Sequence, residues 1–265
     1  MKLLTDILKN MPLIKQKPGY RGNYASWQEA QHDSAGYDAA VIFLKVRDAL
    51  RQVRDGAAVY ERDSVLFDKI EYSWPLLSAL LWIASREGNH LDVIDFGGSL
   101  GSSYFQNRSF LNHLAFFRWN VVEQPGFVDC GREEFANNQL RFFNNISDCL
   151  LESPCNVVVF ASVLPYVENP YALLDGVIAH GFRYIVIDRT PVIVGNVDRL
   201  TVQVVPPEIY SASYPAWFLG EERLLSHLSK NYELMAPFDS LVSMIELGDV
   251  IARERGYIFK RKELV

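Results

Sequence analysis

Cysteine is scarce in this chain of 265 residues. Cys130, Cys149 and Cys155 have neither metal-ligand spacing nor the even count of a disulfide framework. No metal centre is expected, and a reducing, cytoplasmic compartment suits three free thiols. Long hydrophobic runs are missing too. The longest predominantly apolar stretch, Trp74 to Ala84, is about half the length a membrane-spanning helix needs. Nor is there an excess of positive charge. The chain has 26 Lys and Arg against 32 Asp and Glu, a formal net charge of −6, so a nucleic-acid partner would gain no electrostatic attraction. Internal repeats and low-complexity tracts are absent.

What is present begins with "MKLLTDILKN", where Leu3, Leu4, Ile7, Leu8 and Met11 recur at helical spacing. The first 24 residues carry five basic side chains and one acidic, so the stripe either docks on the domain or rests on anionic lipid as a peripheral contact. "DAAVIFLKVRDALRQVRDG" reads as an amphipathic helix that Gly56 can terminate, and "EYSWPLLSALLWIASREGN" as a second ending at Gly88. Residues 1–88 are thus expected to form a helical cap, and 89–265 a ligand-binding domain. In the latter, short runs rich in Val, Ile and Phe alternate with helical stretches: Leu91–Phe96, Trp119–Glu123, Leu140–Phe143, Asn156–Ala161 and Tyr184–Asp188. Strands apolar on both faces belong to a buried parallel sheet, which predicts a doubly wound α/β domain. After Asp188 comes a Pro- and Tyr-rich stretch of about 30 residues that reads as an irregular insertion. It is followed by the helix-like "EERLLSHLSKNY" and two late strand candidates, "ELMAPF" and "YIFKR".

The first of these strands runs into "VIDFGGSLGSSYF". In a doubly wound sheet, ligands sit beyond the carboxyl ends of the strands, so this turn faces the ligand directly. Asp95, Gly97, Ser99 and Gly101 follow a D-x-G-x-G-x-G form with Ser in the middle position and a further glycine at 98. Bare backbone there allows a sharp turn and close approach. Glu123 ends the second strand 22 residues after Gly101, where an acid can accept both ribose hydroxyls of an adenosine-containing ligand. A dinucleotide and S-adenosylmethionine both meet these requirements. The glycines do not match the G-x-G-x-x-G order of a dinucleotide turn, which disfavours an NAD-dependent enzyme.

Together, "GNYASWQEA", "YERDSVLFDKIEYSWPLLSALLWIA", "DFGGSLGSSYFQNR", "WNVVEQPGFVDCG", "FASVLPYVENPYALL", "YIVIDRTPVI" and "DRLTVQVVPPEIYSASYPAWF" resemble the successive blocks of a bacterial family of S-adenosylmethionine-dependent methyltransferases often associated with surface-polysaccharide biosynthesis. The resemblance runs from about residue 20 to 240. It implies a Rossmann-like class I methyltransferase sheet of about seven strands and S-adenosylmethionine as cofactor, but supplies no agreed substrate; Arg62 and Arg189 suit a saccharide acceptor or one linked to a phosphate or nucleotide. The resemblance also implies that Asp95, Gly97, Gly98, Ser99 and Gly101 line the methionine and ribose side, and that Glu123 holds the ribose with Gln124 beside it. Asn145 and Ile146 would flank adenine, Ser162 and Leu164 would meet the central portion, and Tyr166 would close over it.

The sulfonium of such a cofactor already activates the methyl group, so the protein has to align a nucleophile and exclude water. For a hydroxyl acceptor a general base helps, and His32, His90, His113, His180 and His227 all map away from the carboxyl edge of the sheet. Asp188 ends the fifth strand at that edge and is the expected base or orienting group, with Arg189 as its partner or as an anion-binding residue. Tyr60, Glu61, Arg62 and Asp63 form a second polar cluster able to fold over the same edge. Residues 60–72 and 189–218 are expected to cover the acceptor, with Arg62, Tyr210, Tyr214 and Trp217 against it. A catalytically silent binding protein retaining the fold is the remaining alternative.

Overall fold

The computed structural model describes residues 18–36, 39–62, 64–240 and 244–263. The amphipathic stripe at Leu3–Met11 and Asp63 lie outside these residues. In chain order the elements are β1 (Gly19–Tyr24), α1 (Trp27–Asp33), α2 (Ala39–Arg54), β2 (Tyr60–Arg62), β3 (Val65–Phe67), α3 (Trp74–Arg86), β4 (His90–Phe96), α4 (Ser102–Leu111), β5 (Phe116–Val122), α5 (Pro125–Cys130), β6 (Leu140–Phe143), α6 (Ile146–Glu152), β7 (Val157–Ala161), α7 (Pro170–His180) and β8 (Tyr184–Ile193). They continue with β9 (Arg199–Val204), β10 (Ser213–Gly220), α8 (Glu221–Ser229), β11 (Tyr232–Asp239), β12 (Ile245–Glu246) and β13 (Ile251–Arg261). Among the described residues no helix is long and apolar enough to cross a membrane.

The five expected parallel strands are present, in the order β6-β5-β4-β7-β8, so the chain winds outward in both directions from β4. β13 then pairs antiparallel with β8, and β11 antiparallel with β13. The result is a doubly wound, Rossmann-like sheet with an antiparallel pair at one edge of the parallel core. Alternation explains why both faces are apolar. Val93, Val121, Val157 and Val186 point to a core shared with α2, α3 and α4, while Ile94, Val122, Val158 and Ile187 point to a second core shared with α6, α7 and α8. α2 is fixed over the first layer by Leu50 and by a bidentate pair, Arg51 to Glu134 at 2.5 and 2.6 Å.

Two regions differ from the reading of the sequence. The stretch after Asp188 is not an irregular insertion: β8 runs on to Ile193, and β9 and β10 form an antiparallel pair. The prolines that suggested a loop serve two purposes. Pro206 and Pro207 lie in the connection between β9 and β10, whereas Pro191 and Pro215 sit inside strands. The segment before β4 is also more than a helical cap. β1 joins the main sheet by pairing with β9, and β2 and β3 form a separate hairpin.

At the amino edge of the sheet the carboxylate of Asp92 is fully buried. It accepts hydrogen bonds from Asn120 Nδ2 (2.7 Å) and Ser153 Oγ (2.6 Å), with Arg118 4.0 Å away. Its backbone N–H donates to Asn156 Oδ1 at 3.1 Å. Asp92 thus ties β4 to β5 and to the end of α6 through its side chain, and to the residue before β7 through its amide. Asp92→Ala strands two buried donors and should destabilise the fold by about 2–4 kcal/mol, read from urea denaturation. A loss below about 0.5 kcal/mol would show that the network is dispensable.

Candidate active site

The glycine turn after β4 is shaped by the protein's own side chains. A Cβ on Gly97 would lie 2.3 Å from Val163 Cγ2, and one on Gly98 would lie 2.4 Å from Asp95 Oδ2. Gly97 also has φ +70°, where an L side chain is strained. Asp95 is fully buried, and its Oδ2 accepts from Trp119 Nε1 at 3.0 Å. Its Oδ1 is buried with no hydrogen-bond partner, and the residue lines the cleft beyond the turn. Burial pushes the Asp95 carboxyl up to about 7, opposed by the Trp119 hydrogen bond and the charge of Arg189.

Glu123 follows β5 and lines the same cleft. Burial raises its carboxyl above the usual range, while the backbone amides of Gln124 and Ser99 favour the charged form. The amide of Gln124 donates to Oε2 at 2.6 Å. Gly97, Gly98, Ser99, Gln124, Ser162 and Tyr166 line the cleft as well. Gly101 instead opens α4 as its N-cap, at φ +99° and against Leu140.

Besides Gly101, three expected cofactor contacts lie outside the lining, for simple reasons. Asn145 is the N-cap of α6: its Oδ1 accepts from the Asp148 amide at 2.8 Å, and Nδ2 donates to the Asp148 carboxylate. Ile146 and Leu164 are buried in the second core. The neighbouring Asn144 reaches the cleft in their place.

On the other side, Arg189 lines the cleft, but Asp188 does not. Asp188 is 1% exposed, its Oδ1 accepts from Ser240 Oγ at 3.3 Å, and its Oδ2 lies 3.9 Å from Arg189 Nε. It is a buried neighbour of the arginine, not a group facing the opening. Arg62, Tyr210 and Tyr214 line the cleft. Trp217 does not, because its ring stacks on Trp27 and its indole N–H donates to the Glu168 carbonyl at 3.3 Å. No described histidine reaches the lining; His90 stacks on Phe116 and His227 pairs with Asp175. One contributor, Ser240, escaped notice in sequence because it lies far along the chain. Glu61, expected as part of the polar cluster over this edge, lines the cleft and is 2% exposed, its carboxylate bonded to Ser102 Oγ and, at 3.1 Å, to the Ser64 amide.

The cleft measures about 770 Å³, within the range of small-molecule sites. Ser64, Ser99, Ser162 and Arg189, all with positive φ, lie along it. Such backbone strain concentrates at binding sites. The residues fit an adenosyl ligand carrying a positive charge: Glu123 presents a carboxylate at the second strand end, and Asp95 an orphaned buried oxygen at the first.

No family model and no curated protein matches the chain. Among solved structures, the N-terminal domain of EvdMO1, crystallised in the presence of SAH and D-fucose, is similar over 86% of this chain and 98% of its own, at 13% identity and a TM-score of 0.49. A Burkholderia thailandensis 1,6-didemethyltoxoflavin-N1-methyltransferase is similar over 96% of this chain and 99% of its own, at 13% identity and a TM-score of 0.46. For the magnesium protoporphyrin IX methyltransferase of Synechocystis PCC 6803 the figures are 82%, 84%, 13% and 0.43. Values this low bear on neither ligand nor reaction.

The raised Asp95 carboxyl has a consequence for stability. The folded state holds a proton there that the unfolded chain releases near pH 4, so the stability this group contributes is complete below pH 4 and is lost as pH rises toward 7. Asp95→Asn removes that dependence. Between pH 4 and 7 the variant should gain on the wild type, by at most about 1.4 kcal/mol per pH unit, in urea denaturation without ligand. Parallel pH profiles would refute the assignment.

Proposed function

We propose that the protein is an S-adenosylmethionine-dependent methyltransferase that acts on a small acceptor, a saccharide or a nucleotide- or phosphate-linked precursor of a surface polysaccharide. The observation that carries the cofactor half of this reading is the meeting of Glu123, Asp95 and the Gly97–Ser99 turn in one cleft. Glu123 would hold the ribose hydroxyls. Gln124 and Asn144 would flank the base, and Asp95 with the turn would receive the methionine end. When bound, the cofactor supplies a methyl group activated by its sulfonium.

The chain's own task is then alignment and exclusion of water. Tyr166, Tyr210 and Tyr214 supply aromatic surface on the side where β9 and β10 extend the sheet. Tyr166 is held there by its hydroxyl, which donates to Gln203 Oε1 at 2.8 Å, and by an edge contact with Tyr214. Asp188, buried behind Arg189, acts in this reading on the arginine and not on the acceptor.

Calorimetry with S-adenosylhomocysteine, S-adenosylmethionine and NAD tests the cofactor. The first two should bind and NAD should not. Glu123→Ala should weaken S-adenosylhomocysteine by about 1.5–3 kcal/mol, the range for hydrogen bonds to a charged group. An unchanged dissociation constant in a folded variant would sink the assignment. Transfer of labelled methyl into sugar phosphates and nucleotide sugars tests the acceptor.

A further inference from the structure

β8 changes partners in mid-strand. As far as Asp188 it pairs in parallel with β7, whereas Val192 and Ile193 pair in parallel with β10. Among the described residues no strand pairs with those between on that side, and Ala161, Ser162 and Arg189 of the cleft lining lie at this fork. On its other edge β8 carries a bulge. Ile187 pairs with Tyr257 and Thr190 with Arg255, so Asp188 and Arg189 together face the single residue Gly256. A bulge breaks the alternation of side chains and re-aims one of them. Here the re-aimed residue is Arg189, at φ +50°. A non-glycine residue keeps that conformation only where its surroundings hold it.

Those surroundings are specific. The Arg189 amide donates to Ser240 Oγ at 3.1 Å, and the same hydroxyl donates to Asp188 Oδ1 at 3.3 Å. Asp188 Oδ2 lies 3.9 Å from Arg189 Nε. Asp188 and a serine from beyond β11 thus hold the backbone of Arg189, with the Asp188 carboxylate beside its guanidinium, and the arginine side chain remains 21% exposed and lines the cleft. The other cation of the lining is engaged differently. Arg62 pairs with Glu71 at 3.2 Å and covers the ring of Phe67, both within its own part of the chain. An ion pair between Asp188 and Arg189 alone would require neither the bulge nor the strained backbone.

We propose that Arg189 determines acceptor specificity, holding an anionic group of the acceptor, phosphate or carboxylate, while Tyr166, Tyr210 and Tyr214 flank the attached sugar ring. A guanidinium presents a planar fork that matches both anions and a lysine does not. Asp188 and Ser240 are positioning residues. The proposal rests on the reading of the opposite half of the cleft as the S-adenosylmethionine site.

The test uses protein saturated with S-adenosylhomocysteine and titrated with glucose 1-phosphate, glucuronate and methyl glucoside, followed by calorimetry and by saturation transfer from tyrosine protons. At least one anionic sugar should bind and the neutral one should not. The phosphate and carboxylate arms tell the two anions apart. Arg189→Gln should weaken the anionic sugar at least tenfold and change S-adenosylhomocysteine affinity less than threefold, and Arg189→Lys should fall between Gln and the wild type. Ser240→Ala should weaken it less than Arg189→Gln, with Ser240→Thr restoring binding. Melting temperatures accompany each variant, and Arg189→Lys decides the matter if Arg189→Gln does not fold. Equal binding of the neutral sugar, binding of neither anion, or an unaltered anion affinity in a folded Arg189 variant would overturn the proposal. If wild-type protein fails to bind S-adenosylhomocysteine, the cofactor reading fails instead, and the same titrations on unloaded protein still decide the role of Arg189.

Discussion

The buried carboxylate of Asp95 governs the shape of the cleft. It occupies the space where a side chain at position 98 would otherwise stand, and Trp119 of the adjacent strand anchors one of its oxygens. A fully buried carboxyl group with a single hydrogen-bond donor is an expensive thing to enclose. The fold accommodates it by raising its proton affinity, and its other oxygen stays buried without a hydrogen-bond partner beside the cleft that the residue lines. The glycines therefore answer first to Asp95 and Val163, and only through them to whatever occupies the cleft.

The opposite wall is built by a different device. The sheet divides at β8, whose first half belongs to the parallel core and whose second half supports β10, β9 and β1. The bulge at Asp188 and Arg189 marks the change of direction. One half of the cleft thus comes from strand ends of the doubly wound core and the other from an antiparallel extension. The β2–β3 hairpin lies over the first half, held by Glu61 on Ser102 and by Tyr60 Oη, which accepts from Gln106 Nε2 at 3.1 Å.

The core was legible in sequence because burial on both faces writes an unbroken apolar signal, as in "NVVVFA" and "YIVID". The turn at Asp95 and the acid at Glu123 were legible because spacing along a βαβ unit reflects distance in space. The extension was not, since strands containing Pro191 and Pro215 look like loops. Asn145 was a local failure: the same amide that can meet a base also caps a helix, and the next turn of α6 made the claim on it. Ser240 could not be found by any local pattern, because its role depends on where β11 ends relative to β8. Trp217 illustrates the converse, an aromatic side chain whose neighbour Trp27 comes from the far end of the chain.

β1 is the first strand of the described chain, yet it lies at the outer edge of the sheet, with Gly19 opposite Val204. During synthesis the core strands β4 to β8 leave the ribosome in succession, each finding its neighbour among segments already made. β1 has to wait until β9 has been translated, so it is the earliest part of the sheet to appear and among the last to be placed. The half of the cleft that carries Glu123 and Asp95 can consequently assemble before the half that carries the tyrosines, and a nascent chain passes through a stage at which β1 has no partner strand.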